Sequence, residues 1–242
     1  MAHPDRIRNA AGERLDHALT DGDADLPLVV IGHGVTANKD REWAVALADA
    51  LGAAGFASLR FSFSGNGASE GDFRESCPTK EVADLGAVLD RTADWKVTYV
   101  GHSMGGAVGV LRASADERIG RLVSLAGMVD TAEFARRKFG DLEPGRGCLW
   151  DKPECPLSQG FLDDMEAVGS VERLGAEVSV PWLLVHGTED TVVPFEESER
   201  IAARASGTVE LLAIEGADHV FSGGATSAMT AGVVAWLQRN VG

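Results

Sequence analysis

Six apolar runs, rich in β-branched and aromatic residues, mark the chain. They are Leu28 to Ile31, Phe56 to Phe63, Val97 to Val100, Leu122 to Leu125, Trp182 to Val185 and Val209 to Ile214. Most give way to a glycine within a few positions, as in Gly32-His33-Gly34, Gly101, Gly127 and Gly187. Continuous apolar runs, as opposed to alternating ones, predict strands covered on both faces. Helical periodicity fills the intervals. Trp43, Leu47, Ala50 and Leu51 share one face before a stop at Gly55, and Val82, Leu85 and Leu89 do the same after Thr79, which reads as an N-cap. The small apolar stretch after Ser103, Phe195 to Ala205 and Ser227 to Leu237 predict later helices. Strand–helix alternation implies right-handed crossovers and a mostly parallel sheet, an α/β fold.

Two segments break the rhythm. Arg6 to Asn9 and Arg14 to Leu19 alternate around Ala11-Gly12, which predicts an antiparallel hairpin at one sheet edge. From Met128 to Val180 no clear strand pattern occurs, and Pro144, Pro153 and Pro156 interrupt the segment. A structureless loop of that length is improbable inside a compact domain. Residues 128–180 are therefore expected to be an insertion with short helices of its own, such as Thr131 to Phe139 and Phe161 to Ala167, within a single domain spanning 1–242.

Charge narrows the function. The 242 residues carry 22 Lys+Arg against 37 Asp+Glu, a net charge of −15, which disfavours nucleic acids and anionic membranes as partners. No apolar run reaches the roughly 18 residues of a membrane span, and the first residues lack the apolar core of a secretory signal. A cytoplasmic protein is the expectation. The surplus acid also admits adaptation to high salt, testable by activity against ionic strength. Three cysteines make no disulfide framework. Cys148 and Cys155 are near enough in sequence to pair, but read as small apolar fillers, and no histidine stands beside them at zinc-ligand spacing.

The chemistry centres on Val100-Gly101-His102-Ser103-Met104-Gly105-Gly106, a G-x-S-x-G sequence with a strand before it and a helical pattern after it. Such a serine sits on a sharp strand-to-helix turn that only glycines two positions away permit. A plain glycine-rich turn is the alternative. A serine needs a base. His3 and His17 fall in the hairpin region, His33 and His186 sit in His-Gly turns, and His102 is in the elbow facing away from the serine. His219, in a loop after the last strand, remains, with a structural loop histidine as the competing role. Asp190, just past the preceding strand, is the expected orienting acid; Asp130, Glu189 and Asp218 are rivals. The order Ser103, Asp190, His219 is that of the α/β-hydrolase arrangement. The backbone N–H groups of Met104 and Val35 are the expected oxyanion donors, the second in Gly32-His33-Gly34-Val35-Thr36, where a tight turn and nothing more is the alternative.

These residues resemble the α/β-hydrolase family over essentially the whole chain. More narrowly, Gly32 to Asp40 and Arg60-Phe61-Ser62-Phe63-Ser64-Gly65-Asn66-Gly67-Ala68-Ser69-Glu70-Gly71 resemble bacterial carboxylesterases that include feruloyl and cinnamoyl esterases. The resemblance implies an insertion between the sixth and seventh strands that roofs the site, and ester hydrolysis through an acyl-enzyme with no metal or organic cofactor. The expected partner is a small-molecule ester alone, with a homodimer left open. A thioesterase or amide hydrolase on the same residues is the nearest alternative, and a non-catalytic ligand-binding homologue the more distant one. One departure matters. Members that grip a phenolic hydroxyl resemble one another in using polar cap residues, including a tyrosine, whereas Tyr99 here lies on the strand before Ser103 and reads as framework. The insertion offers Phe134, Phe139, Trp150 and Phe161 instead; Trp150 is either a substrate wall or packing between cap and body.

Overall fold

The computed structural model describes residues 6–241; the expectation for His3 lies outside them. Seven strands form one sheet in the order β3-β5-β4-β6-β7-β8-β9, with β3 His17–Thr20, β4 Leu28–Gly32, β5 Ser58–Phe61, β6 Val97–His102, β7 Ile119–Leu125, β8 Trp182–Gly187 and β9 Val209–Ile214. All neighbours pair parallel except β3, which runs antiparallel to β5. The strand order reverses between β4 and β6, so the loops leaving their carboxyl ends diverge and open a crevice between them.

The hairpin forms, though not where expected. β1 Ile7–Arg8 and β2 Arg14–Leu15 pair as a separate two-stranded ribbon, and only β3 after it joins the sheet edge. The side chain of Asn9 closes the turn by accepting the Ala11 and Glu13 N–H groups. Ile7 and Leu15 are fully buried in the core beside the helix Pro78–Arg91, which draws the ribbon off the edge and over that helix.

Five helices sandwich the sheet. α1 Glu42–Ala53 and α7 Gly224–Arg239 cover one face, packing Trp43, Leu47, Leu51, Val233 and Trp236 on β4, β6, β7 and β8. α2 Pro78–Arg91, α3 Met104–Ala113 and α6 Phe195–Ala202 lie on the other, where Leu85, Val108 and Ile201 are buried. α1 stops as predicted, with Gly55 at φ +88°. Thr79 is not the N-cap of α2: Cys77 is, and Pro78 occupies the first helical position, where a fixed φ and a missing N–H cost nothing. The Thr79 N–H is taken by Asp164 of the insertion. β9 also departs from expectation. As an edge strand it leaves Glu210 and Leu211 exposed and buries Ile214 at its end, so a continuous apolar run did not mean coverage on both faces.

Residues 128–180 lie between β7 and β8, the fifth and sixth strands of the large sheet in chain order and not the sixth and seventh, and split into two parts. α4 Thr131–Phe139 and α5 Gln159–Val168 pack together over the carboxyl end of the sheet, around a small core of Phe134, Phe139, Leu149, Leu157, Phe161 and Met165 that also takes in Met104 and Val193 of the body. Beyond α5 the chain re-enters the main core, where Val171 and Val178 are buried around a 3-10 segment, Glu172–Glu177. Cys77, Cys148 and Cys155 are free thiols.

Candidate active site

Ser103 stands between β6 and α3 with φ 55° and ψ −122°, a conformation L-residues adopt only when the surroundings enforce it. The enforcement is visible. Its N–H donates to Leu125 at 3.0 Å, and its carbonyl accepts from Gly106 and Met128 at 2.8 and 2.9 Å. A Cβ on Gly101 would lie 2.0 Å from the Gly105 carbonyl oxygen, and one on Gly105 would lie 2.5 Å from that of His33. No larger residue fits this turn. The serine itself is 4% exposed, its side chain facing a cavity of about 260 Å³ under the cap. Tyr99 is framework, its hydroxyl donating to the Gly105 carbonyl.

The loop after β4 passes directly against the serine: a Cβ on Gly34 would meet Ser103 Cβ at 2.6 Å and Oγ at 3.1 Å. His33 fixes this loop. Its Nε2 accepts the Phe63 N–H at 3.0 Å, so Nδ1 carries the proton and donates to the Gly34 carbonyl at 2.9 Å. The turn-stabilising role expected for His33 is therefore its role, and it holds Val35 and Thr36 at the cavity wall. Met104 opens α3, directly after Ser103 and at the positive end of the helix dipole.

His219 and Asp190 come from the loops after β9 and β8, and His219 Nδ1 donates to Asp190 Oδ2 at 2.7 Å. That leaves Nε2 as the acceptor nitrogen on a ring that lines the cavity with Ser103. Among the described residues no hydrogen bond joins Ser103 Oγ to the ring; such contacts commonly tighten only when substrate binds. The Asp190 carboxylate is fully buried, and burial alone would raise its pKa. Hydrogen bonds overcome that: Oδ2 also lies 3.2 Å from His186 Nε2, and Oδ1 accepts the Val192 and Val193 N–H groups at 2.7 and 2.9 Å. Its pKa falls well below the ordinary carboxylate value, so it stays charged. The rivals are elsewhere. Asp130 pairs with Arg200, Asp218 caps the Ser222 N–H, and Glu189 is exposed.

Two histidines have more to do than the sequence indicated. His186 is more than a turn residue: its Nδ1 accepts from Ser198 Oγ at 2.7 Å, which turns Nε2–H toward Asp190 and the Val193 carbonyl. His102 lines the same cavity as Ser103; its Nε2 donates to the backbone carbonyl of His219 at 2.8 Å, and its ring lies 4.8 Å from Trp43 and 4.7 Å from the His219 ring. Both depend on loops far apart in sequence, so no local pattern announces them. Trp150 packs within the insertion and not between cap and body, since its ring neighbours Phe134 and Phe139 both belong to α4. It lines the cavity while half-exposed, and its ring packs edge-on against Phe139 at 5.1 Å. Phe134 also lines the cavity, whereas Phe139 and Phe161 belong to the cap core. Sequence reasoning missed Arg41, Trp43, Lys152, Val192 and Val220 in the lining.

Burial also sets an acid sensitivity. It pushes the pKa of His33 down to about 4 and that of His102 to about 3, from 6.5. Between pH 6.5 and those values the unfolded chain binds protons that the native state refuses, so stability falls with falling pH. Glu81 and Asp84, raised by burial, act in the opposite sense and gain stability as acid protonates them. A His102→Asn variant should show a flatter acid-side decline in unfolding free energy, by on the order of a few kcal/mol between pH 6.5 and 3, read from denaturant unfolding. A slope unchanged from the parent would contradict this.

The α/β hydrolase fold family profile matches residues 27–146. The human palmitoyl-protein thioesterase ABHD10, mitochondrial, is 28% identical over 190 residues, covering 73% of this chain; the rat protein of the same name is 26% identical over 206 residues, covering 80%. The chain spans 61% of the length of the human relative. Among solved structures, ferulic acid-bound Est1E from Butyrivibrio proteoclasticus superposes with a TM-score of 0.84 at 24% identity, covering 98% of both chains. Alpha/beta hydrolase domain-containing protein 10 from mouse superposes at 0.82 with 22% identity, covering 97% of this chain and 98% of its own. At these identities the structural likeness establishes the fold, which is that of the α/β-hydrolases and is shared with Est1E.

Proposed function

We propose that this chain, an α/β-hydrolase in fold, is a serine carboxylic ester hydrolase acting on small to medium acyl or aromatic esters. Ser103 Oγ attacks the ester carbonyl while its proton passes to His219 Nε2, and Asp190 holds the ring and the imidazolium charge. The Met104 and Val35 N–H groups receive the carbonyl oxygen as it becomes an oxyanion. Collapse expels the alcohol, which takes the proton from His219. Water then gives a proton to the same nitrogen, adds to the acyl-serine carbonyl, and releases the acid as the proton returns to Ser103. No step calls for a metal or organic cofactor. The observation carrying this reading is the His219–Asp190 hydrogen bond on an imidazole that shares one cavity with an elbow serine.

A thioesterase is the second reading, supported by the name of the curated relatives, palmitoyl-protein thioesterase. The same residues would serve. The cavity of about 260 Å³ sits just below the roughly 300–1,000 Å³ of common ligand pockets, which favours short acyl groups over a palmitoyl chain. A panel of oxygen esters, thioesters and amides with graded acyl length discriminates. The expected result is fastest turnover of short oxygen esters, with stoichiometric fluorophosphonate labelling of Ser103. Labelling of another residue, or none, would overturn the serine mechanism; a preference for long-chain thioesters would move the substrate class to the second reading.

A further inference from the structure

The cavity carries charge of one sign. Arg41 and Lys152 line it, and no aspartate or glutamate side chain is among its lining residues, in a chain with 37 acidic residues against 22 Lys+Arg. Most arginines and lysines elsewhere are ion-paired, as Arg60 with Asp40, Lys80 with Glu75 and Arg200 with Asp130. Arg41 and Lys152 have no carboxylate partner among the described residues. Their hydrogen bonds run to Thr36: Arg41 Nη2 to its carbonyl at 3.4 Å, and Lys152 Nζ to its carbonyl and Oγ1 at 3.3 and 3.4 Å. The two cations, one from the body and one from the cap, thus converge on the residue next to Val35. Lys138 and Arg137 of α4 bond the Thr191 and Val192 carbonyls and lie near the Trp150 and Phe134 rings, with no ion pair among the described residues. Positive groups at the mouth of an otherwise apolar, partly enclosed site attract anions more strongly than the same groups on open surface.

We propose that Arg41 and Lys152 form an anion-recognition site, so that the substrate is an ester or thioester bearing a carboxylate or phosphate group. This rests on the serine hydrolase reading and narrows it from esters in general to anionic ones. The alternative role for these side chains, tethering Thr36 to brace the loop after β4, would affect neutral and anionic substrates alike.

Matched pairs separate the two. Mono-4-nitrophenyl glutarate against 4-nitrophenyl valerate places a carboxylate on the acyl side, and 4-acetoxybenzoate against 4-acetoxybenzamide places it on the alcohol side. Butyryl-coenzyme A against the butyryl thioester of N-acetylcysteamine supplies phosphate. The anionic member of at least one pair should have a kcat/KM about tenfold or more above its neutral partner, declining with added salt. That ratio should collapse toward unity in Arg41→Gln plus Lys152→Gln, and partly in each single variant, whatever the neutral rate does. Equal or better turnover of every neutral member, or a ratio that survives the double substitution, would overturn the proposal. If no member of any pair is hydrolysed, the esterase reading fails separately. The anion site is then read from quenching of tryptophan fluorescence by glutarate, since Trp43 and Trp150 line the cavity. Absence of saturable quenching, or quenching equal in the double variant, would overturn it there too.

Discussion

Ser103→Ala should lower kcat/KM on short 4-nitrophenyl esters by about four orders of magnitude or more, while the protein folds with little change in Tm. The chemical loss is that of the nucleophile. The folded state should survive because the interactions that hold position 103 are backbone ones, to Leu125, Gly106 and Met128, and alanine keeps them all. Alanine also meets the same positive φ that serine already tolerates. A variant that retained most of its rate would remove Ser103 from the chemistry; a collapsed Tm with lost activity would leave the thermal measurement to account for the loss.

Asp190→Asn is expected to cost about three to four orders of magnitude in kcat, and Asp130→Asn almost nothing. The buried carboxylate accepts from His219 and lies near His186 Nε2 on one oxygen, and accepts two backbone N–H groups on the other. An amide must turn its NH₂ toward one of these sets of donors, so either the loop or the imidazole loses its partner, and His219 is no longer held with Nε2 free to accept. Asp130 forms a half-exposed pair with Arg200, and such pairs contribute about 0–1 kcal/mol. Rates and Tm of both variants, measured together, test the assignment. The reverse ranking would transfer the orienting role to the α4 N-terminus.

The candidate site was legible in proportion to how local its signals are. Gly101-His102-Ser103-Met104-Gly105 is a contiguous request for one backbone turn, and the structure meets it with a Cβ-excluding contact between Gly101 and Gly105. Asp190 and His219 were reachable because each lies a few residues beyond a strand, where sheet topology collects side chains. His186 and His102 looked like punctuation because their partners, Ser198, Asp190 and the His219 carbonyl, belong to other loops. The Thr79 cap went to Cys77 because Pro78 claims the first helical position.

The sequence alone determined the succession of strands and helices, the serine elbow and the carboxylate and imidazole that stand after later strands, since apolar periodicity and glycine placement act over a few residues at a time. The tertiary structure decided what depends on two distant segments meeting. It drew the ribbon of Ile7 and Leu15 over α2, left β9 half bare at the edge, and returned Val171 and Val178 to the body core. It also set Lys152 of the cap beside Arg41 at Thr36. The physical reason is that burial and charge pairing are settled by which surfaces remain once the sheet has formed, and a linear pattern does not record which surface will face which.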